Sequence, residues 1–180
     1  MGFLRLLEWT FFFYFLTHIP ITIFIDSIAV VPKDLAKNIY PQVSHDLVKY
    51  YINEFKDPLM ADPPGWFKSF IYCEVFLQFP FFFFATYAFW KGSCKWIRVP
   101  AIVYSAHVAT TLLPILSHVL TEDFKDSKLP APQTMDQRLV LCSVYMPYLI
   151  LPLMILFTML WHPAYQNNVQ GQKPQKLKRK

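Results

Sequence analysis

The fold class predicted by this sequence is all-α, a four-helix transmembrane bundle with a short amphipathic segment between the first two helices. Three observations predict it. Of the 180 residues 54% are hydrophobic, 18 Phe, 10 Tyr and 5 Trp among them, and the mean hydropathy of +0.29 exceeds that of ordinary soluble domains. Apolar runs recur four times, over residues 9–31, 66–90, 97–120 and 139–161, each close to the roughly 20 residues that cross a hydrocarbon core of about 30 Å. Charge is concentrated between and after these runs. One membrane domain over residues 1–161 follows, with a basic tail, 162–180, read as disordered.

The first run follows Arg5 and passes Ser27-Ile28-Ala29, whose outer two residues are small and spaced like a cleavage site. It is longer than the core of a signal peptide and is read as a retained span. Residues 32–68 then carry five Lys against five acids. Within them Leu47, Tyr50, Tyr51 and Phe55 fall at helical spacing after Ser44, a candidate N-cap, predicting an amphipathic lid over the bundle mouth. Asp57 precedes Pro58; its carboxylate either braces this lid by accepting from backbone N–H groups or is a solvated loop acid.

The link after the second run, residues 91–98, has three cations and no acid, whereas residues 121–138 have four acids against three bases. The tail adds Lys173, Lys176, Lys178, Arg179 and Lys180 with no acid. By the positive-inside rule the basic link and both termini are cytosolic, and the two longer loops are lumenal. Lys176 and Lys178 are spaced like a dilysine retrieval signal of the endoplasmic reticulum; the alternative is attraction of a basic tail to anionic lipid.

Several chemistries are excluded. Neither a P-loop, a dinucleotide fingerprint nor a zincin motif is present, and four glycines are too few for a phosphate cradle. The five histidines have no ligand-like spacing with Cys73, Cys94 and Cys142, which are read as free thiols. No cofactor or metal is predicted. The basic tail offers no folded unit to read bases, so nucleic acid is not a predicted partner.

The informative residues are two acids inside the runs, Asp26 and Glu74, with no Lys or Arg deep in any run to neutralise them. A charge at bilayer depth costs at least about 2.5–3.5 kcal/mol, so such residues usually face a cavity and mark a site. By the rise of a helix Asp26 lies roughly 8 Å and Glu74 roughly 12 Å below the same membrane face. Neighbouring helices about 8–10 Å apart would let the two carboxyls meet and share one proton and one negative charge. The competing reading leaves Asp26 hydrated near the interface and Glu74 protonated against a backbone carbonyl. Gln78 lies one turn beyond Glu74, and Tyr145, Tyr148, Thr111, Tyr104 and His18 reach the same half of the bundle. Each alone fits ordinary helix packing; their convergence, with a proline in every run, predicts a chamber between kinked helices. Ala101, Ser105 and Ala109 recur every four residues, a stripe that lets two helices approach closely and is assigned here to a dimer contact.

The segments HIPIT followed by Asp26, EFKDPL, PPGWFKSF followed by Glu74, ATYAFWKGSCKWIR, PAIVYS and SVYMPY resemble four-span members of the emopamil-binding protein (EXPERA) family, over most of the chain. The resemblance implies a homodimeric receptor of the endoplasmic reticulum, extending to the nuclear envelope and endolysosomal membranes. It would bind sterols and cationic amphiphilic molecules, act in cholesterol homeostasis, contact membrane lipids and partner the Niemann-Pick type C cholesterol transporter. It makes Asp26 the partner of a ligand amine, Glu74 its proton-sharing neighbour and Asp57 a support. Gln78, Tyr104, Thr111, Val144, Tyr145 and Tyr148 become pocket-lining positions, with Tyr50 and Ile25 less fixed. The implied activity is non-enzymatic binding; the alternative is a sterol Δ8–Δ7 isomerase using a carboxyl acid and base.

Overall fold

The computed structural model describes residues 2–166, and these are mostly helical, without a β-strand among them. The fold-class prediction holds. Three helical stretches, Phe3–Val30, Gly65–Lys91 and Lys95–Thr121, are long and apolar enough to cross a membrane. The fourth is a pair, Met135–Tyr145 and Pro147–Trp161, bent by 41°. Proline 147 explains the bend, because it lacks the N–H that would continue the ladder and its ring crowds the carbonyl one turn back.

Helix α1, Phe3–Phe24, begins six residues before the apolar run does and takes Glu8 into the bundle. It continues through Pro20, ends at Ile25, and gives way to a tight 3-10 turn, Asp26–Val30. Asp26 therefore starts a break in the first span. The second span breaks at the matching place: α5, Gly65–Cys73, and α6, Phe79–Lys91, are joined by a wide π turn over Glu74–Gln78. This turn lies just before Pro80, whose ring displaces the carbonyl of residue 76, and such π turns are frequent at functional sites.

Between these spans sit α2 (Lys33–Ile39), α3 (Gln42–Phe55) and the single turn α4 (Pro58–Ala61). We call this the lid side and the opposite end the tail side. The lid helix is present, but Ser44 is not its N-cap. Pro41 takes that position with an extended backbone, and Ser44, two residues into the helix, is buried with its N–H on the Pro41 carbonyl at 2.9 Å. A proline sets the entry because it has no N–H to leave unsatisfied and its φ is already fixed. The face turned to the bundle carries Val48, Tyr51, Ile52 and Phe55, while Leu47 and Tyr50, expected on it, are exposed.

Two packed pairs build the core. Helix α1 lies along α6, and α7, Arg98–Thr121, lies along α9, Pro147–Trp161. Phe11, Phe15, Phe82 and Phe89 interlock between the first two, with the rings of Phe15 and Phe89 stacked at 5.8 Å. The small-residue stripe is used inside this chain: Ala101 and Ser105 are fully buried in the single protomer, so the expected dimer assignment for this face is corrected. The pair of α7 and α9 needs the same close approach that a dimer would. Outward-facing Phe76, Leu77, Phe83, Phe84, Val103 and Trp161 are exposed, as a surface solvated by lipid requires. Lys173, Lys176, Lys178, Arg179 and Lys180, with the sorting and tail predictions that rest on them, lie outside the described residues.

Candidate ligand site

The two breaks face one another and open a cavity of about 340 Å³ on the lid side of the bundle, within the range of small-molecule sites. Both carboxyls enter it. Thr22, one turn before Asp26 on α1, donates its hydroxyl to Glu74 Oε1 at 2.5 Å, and His18 Nε2 lies 3.7 Å from the same oxygen. Donor atoms of His18, Asp26 and Glu74 all fall within 4.8 Å of one another. Nδ1 of His18 is buried without a hydrogen-bond partner among the described residues. Among the described residues no Lys or Arg comes within ion-pair distance of Asp26 or Glu74. The three side chains are donor types that bind divalent metals, an arrangement that their spacing in the sequence did not reveal.

Around this polar end the walls are apolar: Ile21, Ile25, Phe67, Phe70, Ile71, Val108, Leu112, Ile115 and Val144. Gln78, Thr111, Tyr145 and Tyr148 add isolated polar groups. Of the predicted lining residues, all except Tyr104 reach the cavity. Tyr104 is buried behind it, its hydroxyl 2.8 Å from that of Tyr14 and its ring against Phe15, Phe81 and Phe82. Its register on α7 places it one turn nearer the tail side than Val108, which does line the cavity. Ile25 lines the cavity, and Tyr50 is exposed on the lid's outer face.

The lid is held by Asp57, which is fully buried and caps α4. Its Oδ1 accepts from the Leu59 and Met60 N–H groups at 2.9 and 3.2 Å. Oδ2 accepts from the hydroxyls of Tyr51 at 2.9 Å and Tyr145 at 2.6 Å. Burial pushes this carboxyl above the ordinary carboxylate range, against the pull of the four donors. The solvated-acid alternative is thereby excluded. Since Tyr51 belongs to the lid and Tyr145 to α8, Met135–Tyr145, one carboxylate ties the lid to the fourth span. Thr22, Tyr51 and Met60 were not predicted as site residues. Thr22 was legible as the position one helical turn before Asp26; Tyr51 and Met60 depend on how the lid folds back.

The chain over residues 43–159 matches the family described as EXPERA, the EXPanded EBP superfamily. The chain belongs to the EXPERA family. Among its relatives, sigma intracellular receptor 2 of Xenopus tropicalis is 58% identical over 162 residues, covering 90% of this chain and 92% of the relative. The human protein of that name is 52% identical over 172 residues, covering 94% and 96%. Efficient mitochondria targeting-associated protein 19 of Saccharomyces cerevisiae is 31% identical over 155 residues, covering 80% and 91%. These likenesses and the apolar helices make this EXPERA chain a membrane protein of receptor type. The EXPERA match takes in Asp57, Glu74, Gln78, Tyr145 and Tyr148, but His18 and Asp26 precede it.

Proposed function

We propose that this EXPERA protein is a non-enzymatic membrane binding protein for sterols and cationic amphiphilic amines. The observation that carries the reading is a pair of carboxyls, Asp26 and Glu74, at the end of an apolar cavity with no Lys or Arg among the described residues beside them. Two carboxyls this close hold one proton between them and one negative charge. An ammonium entering from outside supplies the missing cation, and the apolar walls take the rest of an amphiphile. A neutral sterol uses the walls alone, at about 25 cal/mol per Å² buried. With this reading go a role in cholesterol homeostasis, possession of a homodimer interface other than the α7 stripe, a partnership with the Niemann-Pick type C cholesterol transporter, and residence in the endoplasmic reticulum with both termini cytosolic. The excess of cations over acids in residues 91–98 and the tail, against the balanced or acidic charge of the two longer loops, supports that orientation.

Titration of a radiolabelled basic amphiphile into purified wild type and Asp26→Asn tests the proposal. Coulomb attraction of about 4 kcal/mol at 4 Å in a partly buried site corresponds to a loss of about three orders of magnitude in amine affinity, with neutral sterol binding largely kept. Equal amine affinity in the two proteins would remove Asp26 as counter-ion.

One observation favours a second reading, isomerisation of a sterol double bond. His18 stands beside the carboxyl pair, so a proton donor and a proton acceptor face the same cavity. An ammonium also resembles the carbocation of that reaction, so amine binding fits both. Incubation with a Δ8 sterol and detection of the Δ7 product decides for the enzyme; no turnover decides for the receptor.

A further inference from the structure

A second groove, of about 500 Å³, runs outside the turn Asp26–Val30, between α2 and the start of α5. Its chemistry is the reverse of the ligand cavity's. Lys33, Lys37 and Lys68 line it together with His45, against one acid, Asp62. Among the described residues no carboxylate lies within ion-pair distance of any of the three lysines. Lys68 sits in the first turn of a span. One turn deeper on the same face, Tyr72 also lines the groove, and its ring stacks on that of Phe76 at 6.3 Å. Both rings face outward, 46% and 70% exposed, so the basic groove continues into an aromatic strip on the lipid-facing side of the second span. The adjoining helices are also built for the membrane surface. Leu35 and Ile39 on α2, and Val43 and Leu47 on α3, are exposed, each pair at i, i+4 spacing, an apolar edge of the kind that lies in the headgroup region.

We propose that this groove binds the phosphate headgroup of an anionic membrane phospholipid, with an acyl chain laid along Tyr72 and Phe76. Three cations against one acid favour a net negative headgroup over a zwitterionic one. The aromatic strip provides for an attached chain and distinguishes a lipid from a soluble anion. Among the described residues the groove shares only Met60 with the ligand cavity, so the proposal stands independently of amine or sterol binding.

The test uses the full-length protein in neutral detergent with equimolar phosphatidylserine and phosphatidylcholine, read by native mass spectrometry. Wild type is expected to retain phosphatidylserine preferentially, with the preference falling about fivefold for each lysine removed. The triple variant Lys33→Gln, Lys37→Gln, Lys68→Gln therefore loses it, whereas Arg at all three positions keeps it. Glycerophosphoserine, the headgroup without chains, fails to displace the lipid. Basic-amphiphile affinity remains that of wild type in both variants, because the ligand cavity is untouched. Equal retention of the two lipids, a preference that survives in the Gln variant, or displacement by glycerophosphoserine would each overturn the proposal, the last by assigning the groove to a free anion.

Discussion

Helix α1 carries a polar side chain into the bundle near each of its ends, and the two ends are solved differently. On the tail side Glu8 is 2% exposed and every demand of its carboxylate is met from within the chain. Arg5 Nη1 donates to Oε2 at 3.0 Å; the Ser93 N–H and the Tyr165 hydroxyl donate to Oε1 at 2.6 and 2.7 Å. Arg5 in turn donates to the carbonyls of Phe89 and Trp90, joining α1 to the end of α6. On the lid side, where α1 breaks, Asp26 and Glu74 have Thr22, His18 and each other, and they face a cavity. The difference teaches how to separate structural from functional buried acids. An acid whose partners all come from the chain, as at Glu8 and at Asp57, closes a structure; one that faces a cavity instead is, under the proposed function, the place for a ligand cation.

The largest effect that would test this contrast lies at Glu8. Replacing it by Ala leaves Arg5 without its partner and strands the Ser93 N–H and the Tyr165 hydroxyl. Breaking a buried pair from one side typically costs about 3–5 kcal/mol. Glu8→Ala should therefore lower the unfolding temperature in detergent markedly, while protein that remains folded binds basic amphiphiles as wild type does. An unchanged melting temperature would make the tail-side cluster dispensable and erase the comparison.

Gly92 sharpens the same side. It has φ +82° and ψ 151°, a backbone region closed in practice to residues with a side chain. A Cβ there would also overlap Arg5 Nη1 and come within 2.8 Å of Glu8 Oε2. Gly92→Ala is expected to cost about 1–3 kcal/mol from backbone strain alone, again measured by thermal unfolding and again without loss of ligand. Stability equal to wild type would show that the link between the second and third spans adapts freely.

How far the sequence could be read follows the same division. The spans, the two isolated acids and their common depth were legible, because hydropathy and helical rise are local properties. Glu8 escaped, since the apolar run begins at Trp9 and an acid just before it looks interfacial; only the fold brings Tyr165 and Ser93 onto it. The small-residue stripe was recognised as a close-approach face, but nothing in Ala101, Ser105 and Ala109 says whether the approaching helix is in the same chain. Asp57 stood undecided between brace and solvated acid because its deciding partner, Tyr145, is distant in sequence. Val48 rather than Leu47 faces the bundle, since register within one short helix is set by what it packs on.

On the lid side the sign of the stability effect reverses. Asp26→Asn removes a half-buried charge that no cation among the described residues compensates, so its cost to folding should be under about 1 kcal/mol, or the variant should be slightly more stable, as is common where a site is kept at the expense of stability. A variant that binds amines poorly yet melts at or above the wild-type temperature is the expected outcome. A loss of stability as large as that at Glu8 would mean Asp26 is structural too.

The smaller effect on amine binding is expected at Glu74, and it distinguishes the members of the pair. Thr22 donates to Oε1, the oxygen that His18 also approaches, and a carboxyl oxygen of Asp26 lies within 4.8 Å of one of Glu74. In Glu74→Gln the amide oxygen can keep the bond from Thr22, and the amide NH₂ can donate toward Asp26. If Glu74 is the member that holds the shared proton, the substitution preserves its neutral, donating role and leaves the negative charge on Asp26. Amine affinity should then fall by less than tenfold, roughly 1.4 kcal/mol, far less than in Asp26→Asn. The two variants titrated side by side with one basic amphiphile give the answer. A Glu74→Gln loss equal to that of Asp26→Asn would place the charge on both carboxyls jointly, and a larger loss would exchange their roles, making Glu74 the counter-ion and Asp26 the proton holder.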